Sequence, residues 1–134
     1  MTAALAWRGP FANDEAHRLH ADAFGTRVHT AQEWDWEQLV LNHSLGWVTA
    51  RQNGELVGFV NVVWDGGAHA WLQDTMVSTT HQSQGIGRRL VERAGRGARE
   101  AGCEWLHVDF EDRLRPFYFD ACGFTPTTAG LLRL

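Results

Sequence analysis

The clearest order in the hydrophobic pattern lies at residues 47–64. Two apolar-rich runs, 47–52 and 56–64, flank Asn53-Gly54. That dipeptide supplies positive φ at both central positions of a type I′ turn, so the runs read as an antiparallel hairpin. Asp65-Gly66-Gly67 marks the next turn, and residues 70–77 supply a third consecutive strand. The period then changes. Beyond a polar stretch and two glycines, Ile86, Leu90, Val91, Ala94, Ala98 and Ala101 fall on one helical stripe, with Gly102 placed as a C-terminal cap. Gly95 and Gly97 interrupt that helix at a cost of about 1 kcal/mol each relative to alanine, which points to close packing on a sheet or to a frayed surface. Residues 105–110 return to alternation, with Leu106, Val108 and Phe110 set against Trp105, His107 and Asp109.

The flanks follow the same logic. Residues 5–8 read as a short edge strand ended by Gly9-Pro10, and Asn13 or Asp14 caps a helix that ends before Gly25. Thr30 and Glu33 form a capping box, which predicts a second helix over 30–42 with Trp36, Leu39 and Val40 on one face and Trp34 off it. A short helix over 113–121 and one or two terminal strands, 124–127 and 130–134, complete the chain. The strand at 70–77, the long helix and the strand at 105–110 make a β-α-β unit, whose right-handed crossover leaves those two strands parallel neighbours. The expectation is one α+β domain over residues 1–134, with a central mixed, mostly antiparallel sheet flanked by about four helices.

Composition narrows the class. With 134 residues, 44% hydrophobic and 21% charged, the chain has room for one core and no apolar run near the ~18 residues of a membrane span. No signal peptide pattern is visible, since Arg8 and Asp14 stand where an apolar stretch would be needed, so a cytoplasmic location is expected. A net charge of −4 with a pI near 5.9 argues against a nucleic-acid footprint. Cys103 and Cys122 lack metal-ligand spacing and read as reduced, buried thiols. His17, His20, His29, His43, His69 and His81 have no ligand spacing either, and no metal is expected.

The chemistry concentrates where the third strand runs into the long helix. A helix start leaves its first backbone N–H groups unpaired, and Gly85 and Gly87 remove the side chains that would keep a ligand off them. Such a junction holds an anion, with Arg88 and Arg89 close by. It lacks the Gly-Lys-Ser/Thr of a P-loop and the third glycine of a dinucleotide fingerprint, where Leu90 stands.

Gln82-Ser83-Gln84-Gly85-Ile86-Gly87 instead resembles the pyrophosphate loop of the GNAT superfamily of acyl-CoA-dependent N-acyltransferases: Gln or Arg, two residues, Gly, one residue, Gly or Ala. Phe117-Tyr118-Phe119-Asp120-Ala121-Cys122-Gly123-Phe124 is similar to that family's Phe-Tyr-x-x-x-Gly-Phe signature and lies at the family's distance from the glycine loop. The resemblance covers about the last 65 residues and implies two splayed parallel strands in the sheet. It also implies acetyl-CoA as cosubstrate. Backbone groups of Met76 and Val77 would bind the pantetheine arm, with Gln82, Gln84, Gly85, Ile86, Gly87 and Arg88 around the pyrophosphate. Tyr118, the only tyrosine, would stand near the sulfur, where a phenol of pKa about 10 can protonate a departing thiolate. Homodimers are common in that family, and a homodimer is the oligomer it implies.

Four positions depart from the family pattern: Thr79 where many relatives have proline, Gln82 for the commoner arginine, Glu111 for an asparagine, and Gln73 where glutamate often serves as base. The base is therefore sought among Asp74, Asp109, Glu111 and His107, at the C-terminal halves of the two parallel strands, with Asp109 and Glu111 ranked first. Asp74 and Trp34 are the candidate acceptor contacts, one by charge and one by a π-face worth roughly 0.5–2 kcal/mol to a cation. Two functions are compatible with these residues: transfer of an acetyl group to a primary amine of a small molecule, or a non-catalytic acyl-CoA-binding module of the same fold.

Overall fold

The computed structural model describes residues 2–134. The elements run β1 (Ala4–Trp7), α1 (Asn13–Phe24), α2 (Trp36–His43), β2 (Ser44–Gln52), β3 (Glu55–Trp64), β4 (His69–Val77), α3 (Ile86–Glu100) and β5 (Trp105–His107), followed by a π-helical segment, Pro116–Ala121. The five strands form one sheet in sequence order. All neighbours are antiparallel except β4 and β5, which are parallel. The mixed sheet and four flanking helical segments match the fold expected from the sequence.

Alternation along the strands divides the core between the two faces. Val48, Ala50, Val60, Val62, Ala70 and Leu72 meet Leu90, Val91, Ala94 and Ala98 of α3 in one cluster. Trp47, Leu56, Phe59 and Met76 meet Ala16 and Leu19 of α1 and Trp36 and Val40 of α2 in the other. Gly97 settles the question of the glycines in α3. A Cβ there would lie 2.5 Å from the Trp7 ring, and one on Gly46 would lie 2.1 Å from it. Trp7 therefore fills a slot between sheet and helix that exists only because both walls are glycine. Gly95 has ordinary room.

Three boundaries differ from the expected ones. The Thr30–Glu33 capping box closes, with the Thr30 N–H donating to Glu33 Oε1 at 3.1 Å and the Glu33 N–H to Thr30 Oγ1 at 3.4 Å, but around a single turn. Helix α2 starts six residues later at a second cap, where Asp35 Oδ1 accepts the Gln38 N–H at 3.1 Å. That cap prevails because it is anchored outside itself: Asn13 Nδ2 donates to Asp35 at 2.9 Å, and Asn13 Oδ1 accepts the Glu37 N–H at 3.2 Å. The two helix starts thus hold each other.

Strand β5 pairs over three residues rather than six, because β4 carries a bulge just above its last pair with β5. Phe59 faces Met76 and Asn61 faces Gln73, so Val60 alone opposes both Asp74 and Thr75. Asp74 takes φ 56°. A bulge bends and twists its strand, which turns β4 away from β5 beyond the Trp71–His107 pair. The terminal strands at 124–127 and 130–134 do not form. Leu131, Leu132 and Leu134 stand in solvent, because alternation within a segment supplies no partner strand. The two cysteines are free and half-buried, less enclosed than their sequence context implied.

Candidate active site

The splay between β4 and β5 opens the site. Ladder pairs stop at Trp71–His107, so the edge of β4 from Leu72 to Val77 has no β5 partner and its backbone groups on that side are left without a neighbouring strand. Met76 is buried against Phe59 under α1 and α2, so only its main chain can serve such a ligand. The Val77 carbonyl accepts the side-chain amide of Gln82 at 3.2 Å. Gln82 thus braces the loop against the strand that feeds it and has its amide occupied in doing so.

The loop ends at the N-terminus of α3. Gly85 is its N-cap, at φ 81° with open space where a Cβ would point, and no side chain caps the helix. Ser83 also has positive φ, 66°. The unpaired N–H groups at the start of α3 therefore face solvent across a glycine, which is an anion cradle made of main chain. Ile86 is buried in the core with only its backbone facing the loop, and Gln84 and Arg88 are exposed. Arg88 pairs with Glu92 at 2.9 Å on the helix surface. Gly87 also meets a packing demand: a Cβ there would press on the Phe117 ring at 3.2 Å. Its small size lets the aromatic segment dock against the start of α3.

That segment delivers Tyr118. The phenol is 5% exposed, stacked on Phe110 at 4.5 Å and flanked edge-on by Phe117 and Phe124. Burial pushes its pKa up, the Thr75 hydroxyl draws it back down, and the Asp109 charge adds to the rise. Thr75 Oγ1 is buried and closes no hydrogen bond of good geometry, so the hydroxyl beside Tyr118 keeps a free hydrogen-bonding position. Nothing in the sequence pattern singled out Thr75. The bulge that turns it toward Tyr118 is a property of the strand pair.

The candidate proton acceptors separate by environment. Asp74 is half-buried at the bulge, and desolvation raises its pKa. Asp109 and Glu111 are exposed, and Glu111 is engaged by Arg113 at 2.9 Å. His107 is stacked on Trp71 at 4.8 Å, and its Nε2 hydrogen-bonds His69 Nδ1 at 2.7 Å, on the lower, paired part of the two strands. Trp34 is not free in a cleft: it stacks on the buried Trp36 ring at 4.8 Å and 17°. The indole N–H groups of both are buried without partners. His17 Nε2 hydrogen-bonds the Trp34 carbonyl at 2.8 Å, and burial together with the neighbouring His29 and His17 lowers His20. Among the described residues no group of histidine, cysteine and carboxylate side chains is placed to hold a metal ion.

One contact escaped the sequence reading. Asp22, near the end of α1, accepts the Thr79 N–H at 2.9 Å and the Thr79 hydroxyl at 2.8 Å. Thr79 stands where the resemblance leads one to expect proline, and an N–H that proline lacks was the available signal.

The sequence matches the model of the acetyltransferase (GNAT) family over residues 13–124, and the chain belongs to that family. Solved structures agree. A GNAT-family acetyltransferase from Streptococcus pneumoniae superposes with a TM-score of 0.74 at 22% identity, covering 98% of this chain and 97% of that one. Glucosamine-6-phosphate N-acetyltransferase from Arabidopsis thaliana gives 0.76 at 15% identity, with 98% of each chain covered. AAC(6')-Iy, solved in complex with the bisubstrate analogue CoA-S-monomethyl-acetylneamine, gives 0.78 at 16% identity over 100% of this chain and 98% of that one. Likeness at these identities establishes the fold. No curated protein matches the sequence.

Proposed function

We propose that this acetyltransferase-family chain moves an acetyl group from acetyl-CoA to the primary amine of a small acceptor. The observation that carries the reading is the meeting of three features at one opening: the unpaired edge of β4, the main-chain cradle at Gly85, and the buried Tyr118 phenol. The cradle takes the pyrophosphate through backbone amides, with Gln84, Gly85, Ile86, Gly87 and Arg88 around it. The main chain of Met76 and Val77, at the end of the edge that β5 leaves open, takes the pantetheine and faces the thioester oxygen.

Held there, the amine nitrogen attacks the thioester carbon, the C–S bond breaks, the sulfur leaves as a thiolate that takes a proton from Tyr118, and the proton shed by the new amide nitrogen restores the phenol. A phenol kept neutral by burial is a competent donor to that thiolate. An amine arrives mostly as ammonium and must first lose a proton. Asp74, whose pKa desolvation raises, suits that step better than the exposed Asp109 and Glu111. In this reading the last two supply negative charge that attracts the ammonium form, and Trp34 shapes the wall beside α2 as part of an aromatic stack rather than as a free π-face.

The test is a coupled thiol-release assay over a panel of primary amines, run beside thermal shifts with CoA. Acetyl-CoA-dependent thiol release with at least one amine supports the transfer. A CoA-induced rise in melting temperature with no thiol released by any amine would leave the non-catalytic binding module in its place.

A further inference from the structure

We propose that Asp22 is a positioning residue for the cofactor loop: its carboxylate, carried on α1, takes both polar hydrogens of Thr79 and so holds the loop in the shape that receives CoA. The loop has two fixed ends. Ser78 is tied to β3 by its N–H, which donates to the Val57 carbonyl at 2.8 Å, and Gly85 belongs to the start of α3. Between them lie a single 3-10 turn, Thr79–His81, and the strained Ser83. A carboxylate fifty-seven positions away in sequence enters at the first residue of that turn, with one oxygen on the N–H at 2.9 Å and the other on the hydroxyl at 2.8 Å. Two bonds from one side chain fix an orientation that one bond leaves free.

Both partners are exposed, and an exposed tie counts for little unless its ends are already ordered. Here they are. Helix α1 is seated by the buried Ala16 and Leu19, by Glu15 on Arg51 at 2.7 and 2.8 Å, and by the reciprocal caps of Asn13 with Asp35 and Glu37. The rigid helix delivers Asp22, so little side-chain freedom remains to be lost when the tie forms.

A proline at position 79 would restrain the turn through its own ring. This chain restrains it through α1 instead, which makes the order of α1 and the readiness of the loop one linked quantity. The two bonds from Thr79 hold Asp22 below the ordinary carboxylate range, the N–H contributing more. A lowered carboxylate contributes above its unfolded pKa and loses that contribution as pH falls through the folded value, so the tie weakens in acid.

The inference rests on the CoA reading, and the experiment separates the two. Amide hydrogen exchange, measured without ligand on wild type, Asp22→Ala and Asp22→Asn, reads the loop directly. Exchange across residues 79–85 should accelerate about fivefold in Asp22→Ala and stay near wild type in Asp22→Asn, whose amide oxygen still accepts the Thr79 N–H. Calorimetric titration with CoA should show affinity about fivefold weaker in Asp22→Ala, with turnover at saturating acetyl-CoA unchanged. The wild-type loss of affinity in acid, relative to Asp22→Asn, reports the carboxylate itself. In a Thr79→Pro background, Asp22→Ala should add nothing further. Wild-type exchange and CoA affinity in Asp22→Ala would overturn the proposal, as would an equal loss in the Thr79→Pro background. If wild type binds no CoA, the cofactor reading falls while the exchange data still decide the role of Asp22.

Discussion

The face of the sheet under α3 has an aliphatic centre, with Trp7 and the Tyr118 segment at its margins, and the face under α1 and α2 is aromatic through its centre. Small side chains such as Ala50, Ala70, Ala94 and Ala98 let α3 settle close to the strands, which fixes where its N-terminus lies: next to Val77 and the end of β4. A site made at that N-terminus is made of main chain, and its chemistry depends on backbone shape. On the other face, Trp36, Trp47, Phe59, Phe11 and Trp34 meet edge-to-face or stacked, and two indole N–H groups are left buried without partners. In the proposed reading the acceptor is met on that side, by rings and carboxylates. The difference teaches that a donor half made of main chain needs only a few glycines, while an acceptor half made of side chains depends on each residue present.

The largest expected effect tests the group that joins the two halves. Tyr118→Phe keeps the stack on Phe110 and removes one hydroxyl, so turnover should fall on the order of 10²-fold with CoA affinity nearly intact. Wild-type turnover would make Tyr118 a packing residue. Next comes the main-chain half: Gly85→Asp forces an L-residue to φ 81° and places a negative charge at the cradle, so calorimetry should show CoA affinity lowered about tenfold or more in a folded protein. Unchanged affinity would break the assignment of the cradle.

The Asp74 carboxylate sharpens the acceptor half through pH. Its pKa is raised by burial, so folding favours the neutral acid; its cost is absent below the unfolded value of 3.8 and grows as pH rises through the folded one. Asp74→Asn, which tolerates the positive φ, should therefore raise the melting temperature at pH 7 by about 2–4 °C, with the gain shrinking toward pH 4, while lowering turnover. A pH-independent difference would remove the buried charge from the account. The smallest effect belongs to the exposed acids. Neutralising Asp109 and Glu111 together should raise the acceptor KM about threefold, and the deficit should fade at high pH as the amine loses its charge in solution. Identical kinetics across that range would leave them without a part in attracting the acceptor.

How much of this was legible follows the same division. The hairpin at Asn53-Gly54, the stripe of α3, the parallel crossover and the glycine loop are local patterns, and each stands where the sequence put it. The start of α2 was missed because two capping signals compete within six residues, and the winner is chosen by Asn13, far away in sequence. The short β5 and the exposure of Thr75 to Tyr118 follow from a bulge whose only sign is an aspartate at φ 56°, in a strand where the residue type alone does not announce it. Asp22 was missed for a related reason: Thr79 in place of a proline signals a spare N–H and hydroxyl, but no residue pattern says which distant carboxylate takes them.

The slot that holds Trp7 has a consequence for kinetics. Strand β1 joins the start of the chain to residues 48–51, and the slot that takes its tryptophan exists only where β2 and α3 have come together with Gly46 and Gly97 on either side of the ring. A part that fits only an assembled cavity arrives late, so its contacts are absent from the barrier to folding and present in the barrier to unfolding. Trp7→Ala should accordingly speed unfolding while leaving the refolding rate nearly unchanged, a partition that stopped-flow denaturant jumps read directly; slowed refolding instead would place β1 in the nucleus. The first few residues thus act as a latch on the lifetime of the native state, closing last and governing how long it stays shut.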